Sequence, residues 1–472
     1  MRILPIIAFA LALPAAHAQQ VLTLEQCVQR AEEKNLTVID ALLDEEIARA
    51  AHDQAKWDLA PDLNAFASHT YNFGRVVDRF TNTFANDRVR SNNFYLSANL
   101  ALYQGGSRVN RIRQAGIDVE TAQQAREAML DQVRLEVVQA FLDVLGLRER
   151  IRASEQQVAA TEEQVRFTAA MVEAGRLAQA ELLTLRAQVA QEEFNLTDAQ
   201  NQHDQRMLAL GRAMQMDHHE LMGFDITAPD ITALEVGEPA VAADDVLDAV
   251  LRNNHAYAQA GLAVQSAERG IAIARAGHLP TLSLGASVGT GYSGLNQRIV
   301  GGPVIGDPQP IGFTNGGEVV YAPSIGYNTE LTPFSAQLDQ NLNETVGLQL
   351  SIPLFNNMRN RTNVAQARIR HEQSLNRVAS VRNDLQREVV DALVMRRGAH
   401  RQYRAAQRAV EAGTLALEYA QERFNAGAIT SIELTTAKTQ LNANTAELIN
   451  AKYRYVMAGK YLDVLQGLPV RL

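Results

Sequence analysis

The chain has 472 residues, a net charge of -9 and a single cysteine, Cys27. That length exceeds what one hydrophobic core usually supports. The acidic balance, with no basic stripe, excludes a nucleic-acid partner, and one cysteine excludes both an intrachain disulfide and a Cys-rich metal site.

Aromatic residues make up only 6% of the chain, while Ala, Gln, Glu, Leu, Val and Arg dominate. That is the composition of long helices rather than of a compact mixed core. Residues 1–18 read as an export signal. Arg2 gives a positive start, Ile3 to Ala15 are apolar or small, and Ala16-His17-Ala18 fits a small-residue cleavage site that leaves Gln19 as the new N-terminus. No cysteine follows that site, so no lipid anchor is expected there. Thr23 and Gln26 form a capping-box pattern that starts the first helix, with Cys27 in its core face. No later stretch has 18 consecutive apolar residues. Any membrane-spanning role therefore falls to β-strands.

Four segments alternate with period two: about 63–74, 92–103, 281–292 and 344–355. Val346, Leu348, Leu350 and Ile352 point one way, and Thr345, Gly347, Gln349 and Ser351 the other. Leu282, Leu284, Ala286 and Val288 alternate with Thr281, Ser283, Gly285 and Ser287 in the same manner. Each is about 10 to 12 residues, long enough for a tilted strand to cross a bilayer, and the side opposite the apolar face suits a wet lumen. Residues 75–91 and 293–343 read as long connecting loops, the second rich in Gly, Pro and Asn. Tyr103, Gly105, Gly106, Phe355 and Asn356 mark abrupt strand-to-helix junctions. Tyr71, Phe73, Phe94, Tyr95, Tyr103, Tyr292 and Phe355 lie near strand ends, as interfacial girdles do. Four strands cannot close a barrel, for which about eight is the working minimum. Open edges in lipid leave backbone groups unpaired. Either the strands are outside a membrane or several chains pool them, and three chains give twelve.

No proline lies between Pro61 and Pro229 or between Pro353 and Pro469, which permits helices over about 106–174 and 358–426 with returning helices over about 177–213 and 429–466. The first long helix carries a heptad stripe from Leu130 through Val133, Val137, Val144, Ile151, Val158 and Val165 to Val172, softened at Ser154, Thr161 and Thr168. Residues 174–182 (AGRLAQAEL) and 426–434 (AGAITSIEL) share their ends. Gly175 and Gly427 sit where each long helix should stop and turn back.

These two tips are 252 positions apart, and Leu102 to Gly106 fall on Leu354 to Met358 at the same shift. Leu59 to Leu63 fall on His278 to Leu282, and Asn35 on Asn254, at a shift of 219. The chain reads as a duplication: repeat 1 at 19–222, a connector at 223–240 containing Pro229 and Pro239, and repeat 2 at 241–472. The second copy carries about 33 extra residues between Pro280 and Leu354.

An exported, duplicated chain in which each half reads helix, β-hairpin, long helical hairpin resembles the TolC-like outer-membrane efflux proteins. The likeness is carried by Leu22 to Cys27, Leu279 to Leu282, Leu102 to Gly106 and the two Ala-Gly…Glu-Leu tips, and covers essentially the whole mature chain. The resemblance implies a mainly α fold with a membrane β-barrel part: a homotrimer whose twelve-stranded barrel in the outer membrane of a Gram-negative-type bacterium continues into a twelve-helix periplasmic α-barrel. A periplasmic adaptor and an inner-membrane pump would dock at its tip. It implies a passive duct for efflux or type I secretion, with no catalytic residues, cofactor or metal. It also implies a constriction at the tip built from Glu181 and Glu433. Relatives often have a second acidic residue where this chain has Thr436, and a basic residue where it has Ile429. Arg176 in the first copy is the available substitute.

Other readings are weaker. His218-His219 lacks the spaced partners of a metal site, and no phosphate loop, H-E-x-x-H or G-x-S-x-G pattern occurs. A periplasmic coiled-coil scaffold or adaptor would have one hairpin flanked by all-β domains, not two hairpins and four strands of spanning length. Whether the cargo is a drug, a metal or a protein is not written in this sequence.

Overall fold

The structure, a computed structural model, describes residues 20–85, 88–228 and 242–468. The export signal at 1–18 and most of the connector, Pro229 and Pro239 included, lie outside the described residues. In chain order the first half contains β1 (Gln20–Leu22), α1 (Leu24–Lys34), α2 (Leu36–Trp57), β2 (Asp62–Asn72), β3 (Val76–Val77), β4 (Phe84–Ala85), β5 (Val89–Gln104), α3 (Ser107–Glu173), α4 (Gln179–Ala213), α5 (His218–Leu221) and β6 (Phe224–Ile226). The second half contains α6 (Ala243–Asn253), α7 (His255–Ala276), β7 (Thr281–Ser293), β8 (Gln297–Ile299), β9 (Val304–Phe313), β10 (Val319–Gly326), β11 (Thr329–Leu331), α8 (Phe334–Gln340), β12 (Asn343–Ser351), α9 (Arg359–Asn425) and α10 (Ser431–Leu465).

The helices of the two halves match in length. α1 and α6 have 11 residues each, α2 and α7 have 22, α3 and α9 have 67, and α4 and α10 have 35. At about 1.5 Å per residue, α3 and α9 are each about 100 Å long. Thr23 and Gln26 exchange both capping-box bonds at the start of α1, at 2.9 and 3.3 Å. Asn35 and Asn254 end α1 and α6 in the same extended conformation, each N–H donating 2.8 Å to the carbonyl four residues back.

The chain divides into two compact units, one formed by residues up to 49 with 116–266 and 372–472, the other by 50–115 and 267–371. The first is helical. Its larger core packs Val133, Val137 and Phe141 of α3 with Cys27 of α1, Leu210 of α4, Phe224 of β6 and Val456 of α10. A smaller core joins Val246 and Val250 of α6 to Leu385 and Val389 of α9 and Leu462 of α10. β1 pairs in parallel with β6, Val21 opposite Asp225.

The expected heptad seam on α3 holds over only part of its length. Val133, Val137 and Val144 are buried, but so are Val138, Phe141, Leu142 and Leu145. Several neighbours pack around α3 there and bury a wider arc than one seam. Nearer Gly175 the buried positions are Thr161, Gln164 and Thr168, while Val158, Val165 and Val172 are only half-buried. The seam is apolar at one end and polar at the other.

The second unit is built on a four-stranded antiparallel sheet in the order β12-β7-β5-β2. Its register aligns the alternation of all four strands. Val346, Ala286, Ala98 and Leu63 form one row across the sheet, and Leu348, Leu284 and Leu100 another on the same face. Thr345, Ser287, Ser97 and Asn64 form a row on the other face, as do Gly347, Gly285, Asn99 and Asp62. Val346, Leu348 and Leu350 are 75, 67 and 61% exposed. β12 and β2 are the two edges, and each has one side without a strand. Among the described residues no helix is long and apolar enough to cross a membrane.

Three details depart from the sequence reading. The 293–343 loop is largely ordered as β-structure: β8 pairs with β11, β9 with β10, and α8 follows. Gly306, Pro308, Pro310, Gly312 and Pro323 sit inside strands whose ladder accommodates them by register shifts at Val320/Tyr321 and Pro323/Ser324, while Gly301, Gly302, Gly316 and Gly317 lie in the turns. The last strand stops at Ser351, because Pro353 cannot donate to a ladder. Tyr292 is no interfacial girdle residue. It is 3% exposed, packs on Phe334 and accepts a 2.7 Å bond from Arg90.

The strand-to-helix junctions show how the halves solve one problem with different residues. Gly105 and Gly106 have φ of +61° and +79°, and the matching Asn357 and Met358 have +53° and +61°. A Cβ at Gly105 would lie 2.7 Å from the Ala276 carbonyl, so glycine is required there for space as well as for φ. The second half accepts the left-handed backbone without glycine, at about 1 kcal/mol or more per residue. Tyr103 and Phe355 beside the junctions are exposed.

Above the sheet, one network pins the connections. The Asp78 carboxylate accepts from Ser293 Oγ at 2.6 Å, from the Phe80 and Thr81 amides at 3.0 and 2.8 Å, and from Thr81 Oγ1 at 3.0 Å. The buried Gln337 amide bonds Ser293 through both its oxygen and its nitrogen. Burial alone would raise the Asp78 pKa, but the hydroxyl and amide donors outweigh it and hold it below the ordinary 3.8. Its stabilising contribution is therefore full above that value and is lost as pH falls through the lowered pKa. Asp78→Asn should increase proteolytic cleavage within 75–91 several-fold at neutral pH, whereas the unsubstituted protein should reach that susceptibility only in acid below 3.8. Equal cleavage of the two at neutral pH would contradict the role given to the carboxylate.

Candidate functional site

The two helical-hairpin tips are the sites at which the sequence places functional side chains. Each long helix ends in the same hydrogen-bonded turn. Gly175 N–H donates 2.9 Å to Val172 and Arg176 N–H 2.9 Å to Met171; Gly427 N–H donates 2.9 Å to Phe424 and Ala428 N–H 2.8 Å to Arg423. Both are Schellman motifs, and both glycines have φ of +71° with open space where a Cβ would stand. Glycine is required at these positions by backbone conformation alone.

Three residues later a new helix starts, capped by Ala178 for α4 and by Thr430 for α10. Glu181 and Glu433 then occupy the same third helical position. Their surroundings differ. Glu181 is half-buried, and its Oε2 accepts 3.2 Å from the N–H of Ser431, the first residue of α10. The carboxylate of one hairpin thus caps the helix of the other. An anion at such a terminus stabilises by about 0.3–1 kcal/mol, more where partly buried. Glu433 is exposed, and its contact is with Thr430, whose hydroxyl takes the Glu433 N–H at 3.3 Å and lies 3.5 Å from its Oε1. Ala178 gives α4 no side-chain cap.

Arg176 and Thr436 are exposed, and Thr436 donates its hydroxyl to the Ile432 carbonyl at 2.8 Å. Ile429 is half-buried. Within one chain, then, Glu181 is brought to the opposite hairpin, while Glu433, Thr436 and Arg176 face outward. The tips are packed by Leu182, Leu185, Phe424 and Leu434, all buried.

Sequence reasoning missed a buried polar layer behind the tips. Glu192 of α4 and Lys438 of α10 are each 5% exposed. Glu192 Oε1 accepts from Gln188 at 2.8 Å and Gln157 at 3.1 Å, while its Oε2 accepts no hydrogen bond. Burial pulls the Lys438 pKa below its ordinary value, and nearby Glu192 opposes that only in part. Thr168 Oγ1, Gln164 Nε2, Ser431 Oγ and Thr435 Oγ1 are likewise buried without a partner. The signal was present as the Thr161 and Thr168 softening of the stripe, and Glu192 and Lys438 stand one heptad beyond Leu185 and Ser431. A layer so poorly satisfied weakens the bundle next to its tips.

His218 and His219 lie in the short helix α5, capped by Asp217. Among the described residues no group of three His, Cys, Asp or Glu is arranged to hold a metal ion.

Replacing both buried charged residues, as Glu192→Met with Lys438→Met, should stabilise the protein by about 1–4 kcal/mol, while either single change should destabilise it by leaving the other buried charge without its opposite nearby. Thermal unfolding of the four proteins checks this. A double variant less stable than both singles would contradict it.

Comparison with known proteins bears on this geometry. The family model described as "Outer membrane efflux protein" matches residues 27–214 and 246–468. The cation efflux system protein CusC of Escherichia coli K12 is 28% identical over 138 residues, which is 28% of this chain and only 30% of that relative's length. The outer membrane protein TolC of the same organism is 23% identical over 448 residues, 92% of this chain and 80% of TolC. Among solved structures, the Campylobacter jejuni CmeC outer membrane channel superposes with a TM-score of 0.74 at 16% identity, covering 94% of this chain and 85% of the other.

Proposed function

The chain belongs to the outer membrane efflux protein family, and from that premise we propose that it is the outer-membrane duct of a tripartite efflux or type I secretion system. The observation that carries the reading is the four-stranded sheet. It has one apolar exposed face, one small and polar face, and an unpaired edge on each side. In lipid such a sheet is stable only if its edges are closed. Three copies supply twelve strands and close them. A homotrimer then also supplies twelve long helices for a periplasmic tube. The equal helix lengths of the two halves support a duplicated unit, so that the tube has six similar hairpins. A coiled-coil scaffold without a channel leaves the apolar face of the sheet without a purpose.

The duct is passive, with no catalytic residue and no cofactor. Its partners are outer-membrane lipid around the barrel, and a periplasmic adaptor with an inner-membrane pump at the tips. The pump supplies the energy and the choice of cargo. Glu181 and Glu433 form the periplasmic constriction, with Thr436 and Arg176 beside it. Six carboxylates around one axis, at about 8 Å separations, repel by about 0.5 kcal/mol per pair in water and about 2 at an effective dielectric of 20. Such a ring draws in cations and resists anions. Glu433, exposed in the single chain, carries more of this field than Glu181, which is engaged by the Ser431 amide.

Single-channel recording in planar bilayers tests the reading. A steady conductance is expected, blocked from the tip side by trivalent cations. Glu433→Ala should relieve that block at least severalfold, Glu181→Ala less, and the double variant most. Absence of any conductance would rule out the duct, and unchanged block in the double variant would rule out the carboxylate constriction alone.

A further inference from the structure

The β9–β10 ribbon stands apart from the sheet and is exposed along nearly its whole length. Its register places Phe313 opposite Val319, Pro310 opposite Tyr321, and Ile305 opposite Ile325. Alternation along β10 puts Val319, Tyr321 and Ile325 on one face, with Pro323 between them, and the register, with its two shifts at Ile311 and Asp307, sets Phe313, Pro310, Pro308 and Ile305 opposite them. Ile305, Phe313, Tyr321 and Ile325 are 75, 76, 60 and 61% exposed. The opposite face carries Gly306, Gln309, Gly312, Ala322 and Ser324, with Val304 and Val320 towards its ends. An isolated two-stranded ribbon is marginal in water, and an apolar face of this extent marks a contact surface.

Physical chemistry narrows the occupant. Hydrocarbon is excluded, because each strand of the ribbon has an outer edge whose backbone groups would be left unpaired in lipid. Between Val300 and Asn328 the only charged residues are Asp307 and Glu318, which an anionic membrane surface repels. Pro308, Pro310 and Pro323 lack amide donors and blunt the edges against an incoming strand. What remains is packing by the apolar face against protein. The ribbon lies within the β7-to-β12 connection, and β12 is a free edge of the four-stranded sheet. In the pooled barrel proposed above, on which this inference rests, that edge is closed by the next copy, so the three ribbons are related by one threefold axis and leave the barrel at the same end.

We propose that the apolar faces of the β9–β10 ribbons of three copies pack against one another and form a second constriction at the outer mouth of the duct. Each face is a two-stranded ribbon of 10 and 8 residues, smaller than the roughly 20–30 residues a side of a standard stable interface of about 800 Å² per partner. The ribbons do not hold the copies together. The barrel does, and it supplies the high local concentration that lets so small a contact form and part.

Site-directed cross-linking in outer membranes tests this. Cys27 is fully buried and its thiol is pushed up to about 12, so an introduced cysteine is the only reactive one. Tyr321→Cys, on the apolar face, should give covalent dimers with a short bismaleimide, at least tenfold more than Ala322→Cys on the opposite face. The mass of the detergent-extracted species is measured in parallel. A trimer with no Tyr321→Cys cross-link, or with equal linkage at both positions, would overturn the ribbon packing and leave the pooled barrel standing. Protection of Tyr321→Cys from an impermeant maleimide without cross-linking would overturn it too, in favour of a lipid contact. A monomer would overturn the pooled reading and the ribbon packing with it.

Discussion

A β-strand in hydrocarbon must pair every backbone amide and carbonyl, and the proposed role of the sheet unit depends on that requirement. The sheet β12-β7-β5-β2 satisfies it internally for β7 and β5 and leaves it unmet on one side of β12 and one side of β2. The rows of side chains that cross the sheet are consistent with a wall between lipid and water: Val346, Ala286, Ala98 and Leu63 on one face, Thr345, Ser287, Ser97 and Asn64 on the other. In the proposed trimer association closes this wall, and the matching helix lengths of the two halves let one hairpin unit serve six times.

The helical unit meets a different constraint. A helix of 67 residues buries too little by itself to be stable, so its partners must cover it along its length. They do so unequally. Phe141, Val137 and Leu210 give one region a dense apolar core, while Thr161, Thr168, Glu192 and Lys438 give the region behind the tips a polar and incompletely satisfied one. Stability is thus graded along the bundle. The part nearest Gly175 and Gly427 is the part with the most unpaired buried polar atoms, and there Glu181 ties the two hairpins through the Ser431 amide.

Much of this was legible in the sequence because it rests on local rules. Period-two alternation located the four strands, proline-free spans located the long helices, and Gly175 and Gly427 stand at turns that need a left-handed residue. What escaped was decided by context. Glycine and proline between 293 and 343 suggested loop, but strand pairing with register shifts overrides propensity there. Tyr292 looked like a girdle residue because only its position along the strand was visible, not α8 folding over it. Glu181 and Glu433 are equivalent by spacing, yet only one reaches the neighbouring helix, a difference no periodicity encodes. Lys438 and Glu192 carry no local signal of burial; only the packing of the opposing helices buries them.

The claim that the open sheet is completed by other copies of the same chain is tested most directly by the mass of the species extracted by mild detergent from outer membranes. A mass three times that of the chain is the result this account requires. A monomer or a soluble periplasmic dimer would mean that the strands form ordinary hairpins and that no closed barrel exists.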